Sequence, residues 1–296
     1  MEIRLLRYFL VVANEGNITR AAEKLYITQP TLSRQMNQLE EEAGAPLFKR
    51  PMRRVELTEE GLLLKRRAEE IVALVGKTKR ELADAHVGVD GVVSVSCGEI
   101  EAVQLLADLF KAFKERHPAV TFELYAANAE HTAERLENGL ADIGIFFEPA
   151  DLERYEYIRL PVKERWAVLL PADDPLADKT YIEARDLAGK DIIFPWRAAV
   201  HKELKNWFGK YFSHIHPVAK CNMSTNASVL VRKGLGYSLC IGGGRPFLDE
   251  RQVCRRYLYP SIEIGTVLVW KKYAPASITV AKFLDFVHDY VSGQKA

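Results

Sequence analysis

The 296-residue chain has no run of eighteen or more uncharged apolar residues, and arginines break its opening stretch MEIRLLRYFL. A membrane-spanning helix and a signal-like apolar segment are thereby excluded, so the expected location is the cytoplasm. Cysteine is scarce: Cys97, Cys221, Cys240 and Cys254 are scattered, with no C-x-x-C spacing to build a metal site or a dithiol. Reduced thiols are the default expectation, with a peroxide-sensing pair of Cys240 and Cys254 as the alternative. Net charge is almost absent at +1, so any contact with nucleic acid must come from local arrangement. Catalytic signatures are missing too. There is no G-x-S-x-G, P-loop or H-E-x-x-H, and Gly242-Gly243-Gly244 lacks dinucleotide-binding spacing. His214-x-His216 has no further ligand near it in sequence, so no enzyme, metal or cofactor is expected. What remains is a globular chain, 48% hydrophobic and 27% charged, long enough for two or three domains.

The first sixty residues carry the clearest pattern. Leu5, Leu6, Phe9, Leu10 and Ala13 recur at helical spacing, and Gly16-Asn17 supplies a stop and a new cap. Thr19 to Leu25 reads as a short second helix, whose Ala21 and Ala22 allow close approach, and Tyr26-Ile27 as a tight turn. Thr28 is suited to cap a third helix from about Gln29 to Ala43, with Pro30 in its first turn and Gly44 as its stop. Leu32, Met36, Leu39 and Ala43 fall on one side of that helix; Pro30, Ser33, Arg34 and Asn37 fall on the other. Leu47-Phe48 and Val55-Glu56-Leu57 read as two short strands flanking the basic run Lys49-Arg50-Pro51-Met52-Arg53-Arg54.

This order of elements fits a winged helix-turn-helix. Thr28, Gln29, Pro30, Thr31, Ser33, Arg34 and Asn37 would meet base edges and phosphates, and Arg50, Arg53 and Arg54 would touch phosphate or minor groove. Each piece alone admits a solvated-surface reading, and Glu40, Glu41 and Glu42 are expected to be solvated only. The stretch ITRAAEKLYITQPTLSRQMNQLEEEAGAPLFKR, followed by VELTEEG, resembles the N-terminal domain of LysR-type transcriptional regulators. The resemblance lies in the paired alanines, Q-P-x-L-S-R, the late L-E, P-L-F-x-R and L-T-x-x-G. It departs at Ala43, where the family more often has leucine, and at Thr31, often alanine or serine there.

Beyond Thr58, Gly61, Leu64, Ala68, Ile71, Val75, Thr78, Leu82 and Ala85 alternate at spacings of three and four, a heptad seam on one long helix. The alternative is a helix packed on its own domain. From Val92 to Cys97 an apolar strand opens an α/β pattern expected to have parallel strands. Further strands are read near Val120 to Tyr125, Ile143 to Phe147, Ala167 to Leu170, Ile192 to Phe194 and Tyr237 to Ile241, with helices such as Ala102 to Arg116 and Lys202 to Phe212.

The resemblance implies an α+β multidomain chain: a winged helix-turn-helix over 1–58, a dimerising linker helix over 59–87, and an α/β effector domain over 91–296. That domain would resemble periplasmic binding proteins, with subdomain I at 91–162 and 267–296 and subdomain II at 163–266. The implied partners are promoter DNA, a small-molecule effector in the cleft, a second copy in a homodimer or homotetramer, and RNA polymerase. Open α/β sheets bind ligands beyond their strand ends, which singles out the turns after Cys97, Tyr125, Phe146, Phe194 and Cys221. Candidate effector contacts are Gly98, Glu99, Ile100, Glu101, Asn128, Phe146, Trp196, Arg197, Thr225 and Asn226. Each has a duller reading: Glu99 and Glu101 as helix-dipole partners, Trp196 as core, Asn226 as a cap. Two carboxylates argue against an anion at the Glu99 end. The expected effector combines a cationic or hydroxyl group with an acidic or aromatic one.

Overall fold

The computed structural model of the chain describes residues 1–49, 55–84, 89–196, 200–242, 249–274 and 276–293. They group into two compact units, one built on the N-terminal helices and the other on a large sheet.

In the first unit, α1 (Ile3–Glu15) buries Leu5, Leu6, Phe9 and Val12 and stops at Gly16, which takes the left-handed φ of 60°. The Asn17 side chain then accepts hydrogen bonds from the Thr19 and Arg20 backbone N–H groups at 2.9 and 3.0 Å, capping α2 (Ile18–Lys24). Ala21 and Ala22 are buried, so α2 lies close to its neighbours. Tyr26 turns the chain with a positive φ of 56°, and its side chain is 96% exposed. In α3 (Gln29–Ala43), Leu32, Met36 and Leu39 enter the core, and Gly44 ends the helix at φ 68°.

Two of the three glutamates late in α3 are engaged rather than merely solvated. Glu40 Oε1 accepts from the backbone N–H groups of Leu47 and Phe48 at 2.7 and 3.1 Å. Glu42 pairs with the N-terminal amine at 2.9 Å. Backbone donors of the segment leaving α3 need partners once folded in, and Glu40 is the side chain within reach.

The long helix α4 (Glu59–Asp84) begins at Thr58, whose hydroxyl donates to the Pro46 carbonyl and accepts from the Gly61 N–H. A Cβ at Gly61 would overlap the Leu47 carbonyl oxygen, so glycine is set there by close packing. Ala68 is buried and Leu64 half-buried in the helix-turn-helix core. The first part of the seam therefore packs against its own domain, while Ile71 and Leu82 are exposed.

The second unit holds a ten-stranded sheet. Its first lobe contains β1 (Gly91–Cys97), α5 (Ala102–Arg116), β2 (Val120–Ala126), α6 (Ala129–Glu137) and β3 (Ile143–Phe147). A 17-residue strand, β4 (Tyr155–Pro171), leads into the second lobe. There follow β5 (Tyr181–Ile182), β6 (Asp191–Pro195), α7 (His201–Phe208), β7 (His216–Cys221), α8 (Ser224–Arg232), β8 (Tyr237–Ile241) and β9 (Val253–Leu258). Then β10 (Glu263–Lys271) and α9 (Ile278–Gly293) return to the first lobe. Along the sheet the order is β2-β1-β3-β10-β4-β8-β6-β7.

The strands are not all parallel, contrary to the expectation from sequence. β1, β2 and β3 are parallel, as are β6, β7 and β8, but β10 runs antiparallel to β3 and β4, and β4 antiparallel to β8 and β9. The reason is connectivity: two strands carry the chain between lobes in opposite directions. The subdomain limits at 162/163 and 266/267 fall inside these strands. The helix expected to reach Phe212 ends as α-helix at Phe208 and continues as 3₁₀ turns over Gly209–His214.

Replacing Gly61 by alanine forces the Leu47 carbonyl aside and is expected to cost on the order of 1–3 kcal/mol. The four tryptophans, Trp166, Trp196, Trp207 and Trp270, all lie in the second unit. In urea titrations of Gly61→Ala, the helical circular-dichroism transition should therefore move to lower urea while the tryptophan-fluorescence transition stays. An unmoved helical transition would remove the packing role.

Candidate nucleic-acid interface and ligand cleft

One side of α3 fills the core, which leaves the other to solvent. Thr28, Gln29, Pro30, Thr31, Arg34 and Asn37 are exposed and Ser33 is half-buried. Thr28 does not cap α3 through its side chain. Its hydroxyl instead lies 2.8 Å from that of Thr31, and Gln29 Nε2 donates to Ser33 Oγ at 2.9 Å. These contacts order the first turn as a polar surface of donors and acceptors, ahead of the Arg34 guanidinium. Among the described residues, the expected wing strands meet in an antiparallel bridge of Phe48 with Leu57, closed by Lys49 N–H donating to the Glu56 carbonyl at 2.9 Å. Arg50, Arg53 and Arg54 lie outside the described residues, as does Arg197 in the second unit.

Between the lobes of the second unit lies a cavity of about 160 Å³. All five turns singled out at the strand ends contribute to it: Gly98-Glu99-Ile100 after β1, Ala127-Asn128 after β2, Phe147 at the end of β3, Pro195-Trp196 at the end of β6, and Cys221-Asn222 after β7. Not every candidate side chain is part of its wall. Phe146 packs on the opposite side of the sheet, edge-on to Tyr155, because alternation along β3 sends Ile145 and Phe147 to the cleft instead. Glu101 stands at the head of α5 and accepts from Gln104 Nε2 at 2.6 Å, outside the lining. Asn226 is exposed in the first turn of α8 and also lies outside it. Asn128 lines the cleft while its Oδ1 accepts from the His131 N–H at 2.9 Å, capping α6.

Thr225 acts through Glu99. The Glu99 carboxylate accepts from Ser224 Oγ at 2.8 Å, Thr225 Oγ1 at 2.8 Å and the Thr225 N–H at 3.2 Å, which joins the first lobe to the start of α8 in the second.

Two residues at the waist escaped the sequence reading, Glu164 and Trp166 on β4. Both are buried, 0% and 2% exposed, and Glu164 Oε2 and Trp166 Nε1 have no hydrogen-bond partner among the described residues. Glu164 Oε1 accepts from the Ala102 N–H at 3.1 Å, at the start of α5. Burial pushes the Glu164 carboxyl from 4.5 up to about 7, against the opposing pull of the Ala102 and Glu101 backbone donors. The available signal was a charged residue in register with Leu160 and Trp166 on the inward side of a strand.

Cys97, Cys240 and Cys254 are buried and Cys221 is half-buried. Cys97 is pushed up to about 12 by burial and by the neighbouring Glu164. Cys240 and Cys254 cannot pair as the sequence reading allowed. They lie opposite Ala167 and Leu170 on strands flanking β4 from either side. Two strand spacings separate their backbones by roughly 10 Å, beyond the ~7 Å a disulfide spans. His214 and His216 are exposed, and among the described residues no group of three or more His, Cys, Asp or Glu could hold a metal.

Two outcomes follow for solution measurements. Folded Glu164 holds its proton to about pH 7, whereas the unfolded chain loses it near 4.5, so this residue withdraws stability as pH rises through that window. Melting temperatures recorded from pH 5 to 8 should show Glu164→Gln gaining on the parent as pH increases; parallel curves would contradict the assignment. Thiol titration of the native chain at pH 8 should give one fast equivalent, absent in Cys221→Ser, because only Cys221 is part-exposed.

Residues 3–62 match the bacterial regulatory helix-turn-helix protein, lysR family, and residues 86–292 match the LysR substrate binding domain. The Hca operon transcriptional activator HcaR of Escherichia coli (strain K12) is 32% identical over 278 residues, covering 92% of this chain and 92% of that one. The HTH-type transcriptional regulator AlsR of Bacillus subtilis (strain 168) is 29% identical over 242 residues, 82% of this chain and 76% of its own. The crystal structure of CbnR, a LysR family transcriptional regulator, shares the fold with a TM-score of 0.78 at 22% identity, covering 98% of this chain and 99% of that one. Full-length CbnR complexed with its target DNA gives a TM-score of 0.74 at 22% identity, covering 97% and 99%. With both of its parts matched in order, the chain belongs to the LysR family of bacterial helix-turn-helix transcriptional regulators.

Proposed function

We propose that this regulator reads promoter DNA through the exposed face of α3 and changes that reading when a small molecule occupies the cleft between its lobes. The observation that carries the reading is the two-sided α3, with Leu32, Met36 and Leu39 fixed in the core and Gln29, Thr31, Arg34 and Asn37 held outward. A helix anchored in this way presents donors and acceptors of the kind the major groove distinguishes. Residues 1–58 form the reading head, with Arg50, Arg53 and Arg54 as further DNA contacts.

The linker segment at 59–87, which contains α4, joins two copies. Exposed Leu63, Ile71, Leu74 and Leu82 along α4 support a pairing surface. Two heads held together recognise a two-fold-related site, and dimers associate further to tetramers. Residues 91–296 sense the effector, and cleft occupancy shifts the population of head arrangements, altering DNA bend or access of RNA polymerase. The protein works in the cytoplasm and is not an enzyme. No described helix is long and apolar enough to cross a membrane.

The deciding experiment is anisotropy titration of the full-length protein against DNA from upstream of its own gene and against scrambled DNA, across a range of salt. Arg34→Ala should reduce the specific affinity to the scrambled level. Arg53→Ala should weaken both DNAs and flatten the salt dependence by about one unit of slope. Equal affinity of the parent for both DNAs would refute sequence-specific reading.

A further inference from the structure

We propose that Glu99 is the chain's own carboxylate at the start of α8, and that the cleft therefore prefers an uncharged ligand over the carboxylate of the same shape. The inference rests on the cleft being the effector site. The opening N–H groups of a helix lack partners within it and carry partial positive charge, which makes a helix start an ordinary place for a ligand's carboxylate. Here that place is taken. Both Glu99 oxygens are engaged, Oε1 by Thr225 Oγ1 at 2.8 Å and Oε2 by Ser224 Oγ at 2.8 Å and the Thr225 N–H at 3.2 Å.

Among the described residues no lysine, arginine or histidine lines the cleft, and Ile145, Phe147, Trp166 and Leu239 give it an apolar floor. A second carboxylate beside Glu99 would meet like charge in surroundings that screen it poorly. The group that a ligand places beside Glu99 is therefore uncharged.

Benzamide and benzoate, alike in shape and different in charge, are suitable probes, titrated into the full-length protein with tryptophan fluorescence and calorimetry as readouts. The parent should bind benzamide at least tenfold more tightly than benzoate. Glu99→Ser should raise benzoate affinity at least tenfold while moving benzamide less than threefold. Should that variant fail to fold, Glu99→Gln keeps the shape without the charge and should favour benzoate in the same direction. No binding of either probe to the parent, tighter benzoate than benzamide, or benzoate affinity unmoved by both Glu99 variants would overturn the assignment. Ser238→Trp fills the cleft and separates the two readings: benzamide that binds it as tightly as the parent is bound elsewhere, and then the cleft itself fails as the ligand site.

Discussion

β4 and β10 pair antiparallel from Glu263 against Arg165 to Lys271 against Tyr155, with a break in register between Gly265 and Val267. Every larger feature of the second unit depends on this ladder. β10 joins β3 on its far side, and β4 passes on to β8 and β9, so two lobes of mostly parallel strands are welded through one antiparallel seam. At the break, the Glu148 N–H donates to the Gly265 carbonyl at 2.9 Å and Thr266 Oγ1 donates to the Val162 carbonyl at 2.7 Å, so the displaced backbone groups are still paired. A cleft between lobes is a direct result of having only two strands cross.

Polar groups near the crossing are treated in two ways. Glu99, at the cleft, has its acceptor capacity met by three donors from the opposite lobe. Glu164, a few residues before the strand enters the second lobe, is wholly buried and engages the head of α5 through one oxygen. The first arrangement ties lobe to lobe through solvent-accessible contacts that can exchange with water. The second ties strand to helix within a lobe, where exchange is closed off and the ionisation equilibrium responds instead.

Much of the molecule was legible before folding was considered. Gly16, Asn17, Pro30 and Gly44 mark helix boundaries through backbone constraints that need no tertiary context, and α3 and α5 match their expected limits. β3 and β8 did so as well, because apolar runs between turns have few other solutions. What failed to show was long-range. The first half of β4 reads as polar alternation, and its role emerges only from pairing with a strand a hundred residues later. Pairing direction, the inward turn of Glu164, and the meeting of Glu99 with Ser224 and Thr225 are likewise set by partners remote in sequence. Phe146 illustrates the same limit at short range: the right turn was found, and strand alternation gave the cleft to its two neighbours.

The first lobe begins with β1 and is finished only by β10 and α9, whose Val280, Phe283 and Val287 sit in its core beside Val93 and Leu106. The second lobe has its whole core by Ile264. The lobe that starts first in the sequence therefore depends on the last elements for one of its walls, while its later neighbour does not. Along the chain, the second lobe is thus the first to have its core complete, and α9 supplies the last wall of the half begun earlier.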